Sequence, residues 1–174
     1  MEIRLNALSP KSIEKAIARI DKIQLQLINK NKDFVDNLAR VGIQEAGEHL
    51  NTFKGDSEPP SLTNVDPHVK VDSGGTMYAE ISIHGEDAVF VEFGAGVHYN
   101  TEAGTSPHPN GVELGYTIGS YGHGQGANEK WLYTDDNGVE VVSYGTEAAM
   151  PLAHAKSRMD QTYADIARST FKGK

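Results

Sequence analysis

Val89-Phe90-Val91-Glu92-Phe93-Gly94-Ala95-Gly96 is an apolar run that carries one carboxylate and stops at Gly-Ala-Gly. Its β-branched and aromatic residues and its glycine stop predict a strand over residues 87–93. Alternation then puts Val89, Val91 and Phe93 on one face and Phe90 and Glu92 on the other. Three roles are open to Glu92. It is an ordinary solvent-facing strand residue, or it accepts loop backbone N–H groups near Gly94–Gly96, or it pairs with Lys or Arg of a neighbouring subunit.

Upstream, Val69–Asp72 and Met77–Ile83 alternate apolar with polar residues, and Ser73-Gly74-Gly75 between them supplies a hairpin turn. With Gly85-Glu86 as a tight joint, 69–93 reads as an antiparallel meander. Residues 52–67 are polar, contain Pro59-Pro60, and read as a loop.

Residues 10–51 are helical. Ser9 suits a cap, and Pro10 the first helical position, where its missing N–H costs nothing. Ile13, Ile17, Ile20, Gln24 and Leu27 recur at helical spacing, with Ala16 and Ile23 beside them. Asn29-Lys30-Asn31-Lys32 interrupts the stripe, and Phe34, Leu38, Val41, Glu45/Ala46 and Leu50 resume it, with Asn31 or Asp33 as a second cap. A helical pair and one long bent helix both fit this pattern.

Downstream, residues 94–130 hold nine glycines in 37 residues, a long loop or arm of the kind that is functional or disordered. Trp131–Tyr133 and Val139–Ser143 flank Asp135-Asp136-Asn137-Gly138, where Asn-Gly predicts a hairpin over 131–143. Leu152, Ala155, Met159, Tyr163 and Ile166 place a helix over 151–171. The expected fold is a single α+β domain over 1–174. An N-terminal helical pair and a C-terminal helix pack on an antiparallel β-sheet, with a long Gly-rich loop.

The chain has 174 residues, no cysteine and a net charge of −8. Disulfides and thiolate metal sites are therefore excluded. No apolar run is long enough to span a membrane, and Met1–Leu8 lacks an apolar core of signal-peptide length. Residues 52–147 carry three Lys/Arg against fifteen Asp/Glu, a net of −12, whereas 10–51 is +1 and 148–174 is +3. The acidic middle repels a phosphate backbone, which argues against a dedicated nucleic-acid binder. It fits a surface past which DNA slides, and it equally serves solubility.

Seven histidines (His49, His68, His84, His98, His108, His123, His154) show no local ligand spacing. His98, His108 and His123 share the loop with Glu102 and Glu113, so a site assembled on folding defines an alternative reading, a metal-dependent hydrolase. Gly119-Ser120-Tyr121-Gly122 falls one residue short of a nucleophile elbow. Gly122-His-Gly-Gln-Gly126 lacks the Lys-Ser/Thr of a phosphate cradle.

Three pieces carry a family resemblance. They are Phe90-Val91-Glu92-Phe93-Gly94-Ala95-Gly96, Trp131 opening the late strand, and Gly145-Thr146-Glu147-Ala148-Ala149-Met150-Pro151-Leu152-Ala153-His154-Ala155. In this order the chain resembles the gene-product-10-like tail-component family of tailed bacteriophages over roughly 88–168. In that family the first piece commonly reads Tyr-Val-Glu-Phe-Gly-Thr-Gly, and here Ala95 replaces the Thr. The last piece commonly has Pro-Phe, and here Leu152 stands where Phe is usual.

The resemblance implies a non-enzymatic structural protein of the virion head–tail connection, with neck, tail completion and tail terminator as the alternatives. It implies a homo-oligomeric ring of hexameric or dodecameric kind around the DNA channel, with other phage neck and tail proteins as partners. It implies no catalytic or metal residues, no cofactor, no sequence-specific nucleic-acid binding and no membrane. Such a protein is made in the host cytoplasm and resides in the virion. Candidate subunit-interface residues are Glu92, Phe93, Gly94, Gly96, Tyr99, Tyr116, Tyr121 and Trp131, the aromatics serving as anchors. Residues 97–127 are expected to be mobile in the free monomer and ordered in the particle, a difference that hydrogen exchange reads.

Overall fold

The computed structural model describes residues 9–63, 69–120 and 124–172. In chain order the elements are α1 (Pro10–Leu50), β1 (Ser61–Thr63), β2 (Lys70–Val71), β3 (Met77–Tyr78), β4 (Ser82–His84), α2 (Ala88–Phe93), a 3₁₀ turn (Gln125–Ala127), β5 (Trp131–Thr134), β6 (Glu140–Ser143) and α3 (Pro151–Phe171). The fold is α+β.

The N-terminal segment is one helix of 41 residues, about 60 Å long. It runs unbroken through Asn29–Lys32, because polar residues inside a helix cost only a few tenths of a kcal/mol each and a nucleated helix propagates readily. Pro10 is at its first position and Ser9 at its cap, but the Ser9 side chain makes no cap bond. Instead the Ser9 carbonyl accepts from Ser12 N at 2.9 Å and Ile13 N at 3.2 Å.

α3 returns antiparallel along the C-terminal half of α1. His49 stacks on His154 at one end of the pair, and Phe34 meets Phe171 at the other. Small residues let the elements approach: Ala39, Gly42, Ala46 and Ala155 are buried. A Cβ at Gly42 would lie 2.6 Å from Ile81 Cδ1 and 2.8 Å from Met159 Sδ. The two long helices therefore pack on each other. The strands, expected as one sheet beneath them, form three two-stranded antiparallel sheets among the described residues.

The Ser73–Gly75 turn is in place: β2 pairs with β3, with Lys70 opposite Tyr78. Asp72 Oδ1 accepts from Gly74 N and Thr76 N, both at 2.8 Å. The Thr76 backbone N–H is the main reason that the Asp72 carboxyl titrates below its ordinary value. The meander ends there. β4 pairs with β1, Leu62 opposite Ile83, so a segment read as loop contributes a strand directly after Pro60. Leu62 and Ile83, with Phe53, pack on the buried cluster of Leu50, Val91 and Ala149.

The predicted strand over 87–93 is the short helix α2. A strand would send Val91 and Glu92 to opposite faces. In a helix they stand about 100° apart, and both are buried, Val91 at 0% and Glu92 at 5% exposure. The β5–β6 hairpin forms as expected around Asn137-Gly138, with Trp131 opposite Ser143 and Leu132 opposite Val142. Between α2 and β5 the described part of the glycine-rich segment is a packed loop. Gly104 N donates to the Ile118 carbonyl and Ile118 N to that of Thr105, each at 2.8 Å, and the Ile118 side chain is fully buried.

Candidate functional site

The junction between α2, the glycine stop and the start of α3 concentrates the buried polar groups. α3 begins without a capping side chain of its own. Met150 holds the cap position in the left-handed region (φ 51°), and Pro151 follows with no N–H to satisfy. The next two N–H groups are the ones that a capping residue ordinarily serves. Glu92 serves them from 60 residues away: Leu152 N donates to Oε2 at 2.9 Å, and Ala153 N to Oε1 at 3.0 Å. Its negative charge also suits the positive end of the helix dipole.

A third donor completes the carboxylate shell. His108 Nε2 lies 3.2 Å from Glu92 Oε1, and Asn110 N donates to His108 Nδ1 at 3.1 Å. With Nδ1 accepting, the hydrogen-bond network assigns the ring proton to Nε2, which donates it to Glu92. The His108 ring lies 4.5 Å from Phe93, and Phe93 stacks on Tyr116 at 4.3 Å.

Beside this shell, Ala95 and Thr146 exchange backbone hydrogen bonds of 2.8 and 2.7 Å. Asn100 ties the same place together. Its Nδ2 donates to the carbonyls of Thr146 at 2.8 Å and Gly96 at 2.9 Å, and its Oδ1 accepts from Ala148 N at 2.8 Å. Gly94 (φ 81°) and Gly96 (φ 80°) are required here twice over. Their backbones are left-handed, and an added Cβ would meet Asn100 Oδ1 at 2.7 Å or the Trp131 ring at 2.8 Å. The Thr146 hydroxyl is buried, donating to Ser57 Oγ at 2.7 Å and accepting from Ser57 N at 3.2 Å.

A cleft of about 340 Å³ opens on this junction, with Phe90, Trp131 and Tyr133 as apolar lining and Asp56 and Asp87 among its polar groups. Both carboxylates are engaged within the chain, Asp56 Oδ2 by Tyr144 N at 2.8 Å and Asp87 Oδ2 by Glu58 N at 2.9 Å. On the far side of the α3 start, His49 and His154 stack at 3.8 Å with their planes 2° apart. Burial, reinforced by His49, pushes the His154 imidazole below its ordinary value, against the opposing pull of Glu45 and Glu92.

Of the predicted interface residues, Glu92, Gly94 and Gly96 are buried, and their partners lie within the chain. Glu92 is neither a solvent-facing strand residue nor a cap for Gly94–Gly96; it caps α3. Phe93, Tyr99, Tyr116 and Trp131 are half-buried, and Tyr121 lies outside the described residues. The loop histidines do not converge. His98 Nδ1 is 3.0 Å from Glu129 Oε1, His108 is bound to Glu92, and His123 and His68 lie outside the described residues. No group of three His, Asp or Glu side chains is placed to hold a metal ion among the described residues. Ser82 Oγ is 3.1 Å from His84 Nε2, an exposed pair on β4 away from the cleft. Asn100 is the hub that sequence reading missed, since two of its backbone partners, Thr146 and Ala148, lie 46 and 48 residues away. The tandem Pro107-His108-Pro109 was the available hint that His108 is rigidly held.

Compared with family models, with curated proteins and with solved structures, the chain finds no match in any of the three. No helix among the described residues is long and apolar enough to cross a membrane.

Proposed function

We propose that this chain is a structural component of a tailed-phage virion at the head–tail connection, where copies of it assemble as a ring around the DNA channel. One observation carries the reading. The two pieces of sequence behind the resemblance, 90–96 and 145–155, form a single knot through Ala95–Thr146 and through Glu92 on Leu152 and Ala153. Their co-occurrence in one chain therefore has a physical reason, since each satisfies buried polar groups of the other.

The chemistry of the knot favours a scaffold. Its carboxylate, its imidazole and its amide are all bound by backbone or by each other, and none is left poised toward the cleft as a base or nucleophile. The acidic stretch over 52–147 suits a surface that must not hold a phosphate backbone.

Disrupting the gene in a phage that encodes the chain tests the proposal. Filled heads and unjoined or incomplete tails, restored to infectivity by the gene supplied in trans, are the expected result. Infectious particles formed in normal yield without the protein refute it.

A further inference from the structure

The cleft beside the junction carries charge that the chain itself does not answer. Among the described residues its lining holds two carboxylates, Asp56 and Asp87, and no Lys, Arg or His. Each carboxylate spends one oxygen within the chain, Asp56 Oδ2 on Tyr144 N and Asp87 Oδ2 on Glu58 N. Among the described residues neither Oδ1 has a hydrogen-bond partner, and neither side chain has an ion-pair partner. One neutral N–H orients a carboxylate without cancelling its charge. The two anchor points also lie on one short, pinned stretch of backbone. Glu58 is two residues from Asp56, a span of at most about 7 Å. Asp56 N donates to the Gly145 carbonyl at 3.0 Å, and Ser57 N to Thr146 Oγ1 at 3.2 Å.

The β5–β6 hairpin supplies the flat walls. Trp131 stands opposite Ser143 in the register, and alternation puts Tyr133 on the same face as Trp131. Both rings line the cleft, with Phe90 of α2. Ser143 lines it too and is only 5% exposed. Its hydroxyl oxygen accepts from Gly145 N at 3.1 Å, and its second lone pair has no donor among the described residues.

We infer that this cleft binds a guanidinium group, supplied by an arginine side chain or by a free guanidino compound. A planar guanidinium stacks on an aromatic face while its edge donates in several directions at once. The open oxygens of Asp56 and Asp87 and the spare lone pair of Ser143 are the acceptors that such a fork requires. Both carboxylates repel an anion. A neutral apolar guest would strip water from them and replace it with nothing. An alkylammonium brings the charge but no flat face and fewer donors. The volume of about 340 Å³ lies at the small end of ligand sites and suits one group of side-chain size. The inference does not rest on the virion role.

Trp131 is the only tryptophan of the chain, so its fluorescence reports the cleft directly. The purified full chain is titrated with Nα-acetyl-arginine amide at constant ionic strength. The expected result is a saturable change with half-saturation at about 1 mM. Capped citrulline, of the same shape without the charge, should bind about tenfold more weakly, and n-butylamine weaker than capped arginine as well. Asp56→Asn and Asp87→Asn each keep an acceptor for the backbone N–H and should weaken binding about tenfold, with circular dichroism unchanged. Glu113→Gln, on the exposed loop, removes the same charge and should not alter it. Free arginine separates the two sources. Weaker binding than the capped form assigns the site to an arginine side chain of a protein, tighter binding to the free amino acid, and either order upholds the guanidinium site. A signal that does not saturate overturns the inference. So does capped citrulline or n-butylamine binding as tightly as capped arginine on the unaltered chain, or full affinity in both Asn variants. A silent cleft leaves the gene-disruption result standing, and normal particles from the disrupted gene leave the cleft standing.

Discussion

Removing the Glu92 side chain tests whether α3 depends on a cap supplied from α2. In Glu92→Ala, the N–H groups of Leu152 and Ala153 lose acceptors at 2.9 and 3.0 Å, and His108 Nε2 loses one at 3.2 Å. Water cannot replace them freely, since the Glu92 side chain is only 7% exposed and that of His108 only 9%. Loss of a cap alone costs up to about 2 kcal/mol. Leaving buried donors unsatisfied adds about 1–3 kcal/mol. The expected destabilisation is about 3–4 kcal/mol, which lowers the midpoint of thermal unfolding by roughly 10 °C in a chain of this size. Glu92→Gln keeps the volume and one acceptor oxygen, and should lose about half as much. Urea unfolding followed by far-ultraviolet circular dichroism reads both values, with an unchanged m-value securing the comparison. Glu102→Ala, on an exposed loop, is the control and should stay within about 0.5 kcal/mol. If Glu92→Ala costs less than about 1 kcal/mol, the cap is not what holds the start of α3.

Asn100→Asp replaces the donor to Thr146 and Gly96 with a carboxylate facing two carbonyls, and should cost about 3 kcal/mol by the same urea assay. Ile118→Ala empties a fully buried site and should cost about 2–4 kcal/mol, whereas a mobile arm would tolerate it. In the free protein, the amides of Gly104, Tyr116 and Ile118 should exchange more slowly than those of Val112 and Glu113; uniform fast exchange over 97–120 would instead restore the mobile-arm expectation. His154 favours its neutral form in the fold because of burial and His49. Its contribution to stability is therefore present above the ordinary imidazole range and is lost as pH falls through its lowered folded value. His154→Gln should flatten the loss of stability between about pH 7 and about pH 5. An unchanged pH profile, with Glu45, Glu92 and His49 left intact around the site, would assign that loss to other groups.

The fold was legible where one element buries one face by its own periodicity. The stripes Phe34–Leu50 and Leu152–Ile166 announced α1 and α3, and Asn137-Gly138 announced the β5–β6 turn. Ser73-Gly74-Gly75 did the same for β2–β3. Each signal is local, arising from helical spacing or from a turn that demands a particular backbone. The stretch 88–93 was misread because Val and Phe favour strands only when a pleated neighbour awaits them. Here the position is surrounded by Leu50, Ala149 and the start of α3, and only a helix lets Val91 enter the core while Glu92 reaches Leu152 and Ala153. In the same way β4 chose β1 over β3, a decision between two edges that alternation cannot make.

Composition and order alone determined an α+β chain without thiol chemistry, with an acidic middle between two basic helical ends, and with glycines where the backbone must turn left-handed. Those properties belong to single residues or to neighbours along the chain. Only the tertiary structure decided that Glu92 is a cap, that Asn100 joins 96 to 146, and that half of α1 extends past its partner helix. Each of these depends on distances between segments 40 or more residues apart, and such distances are set by the packing of the whole chain.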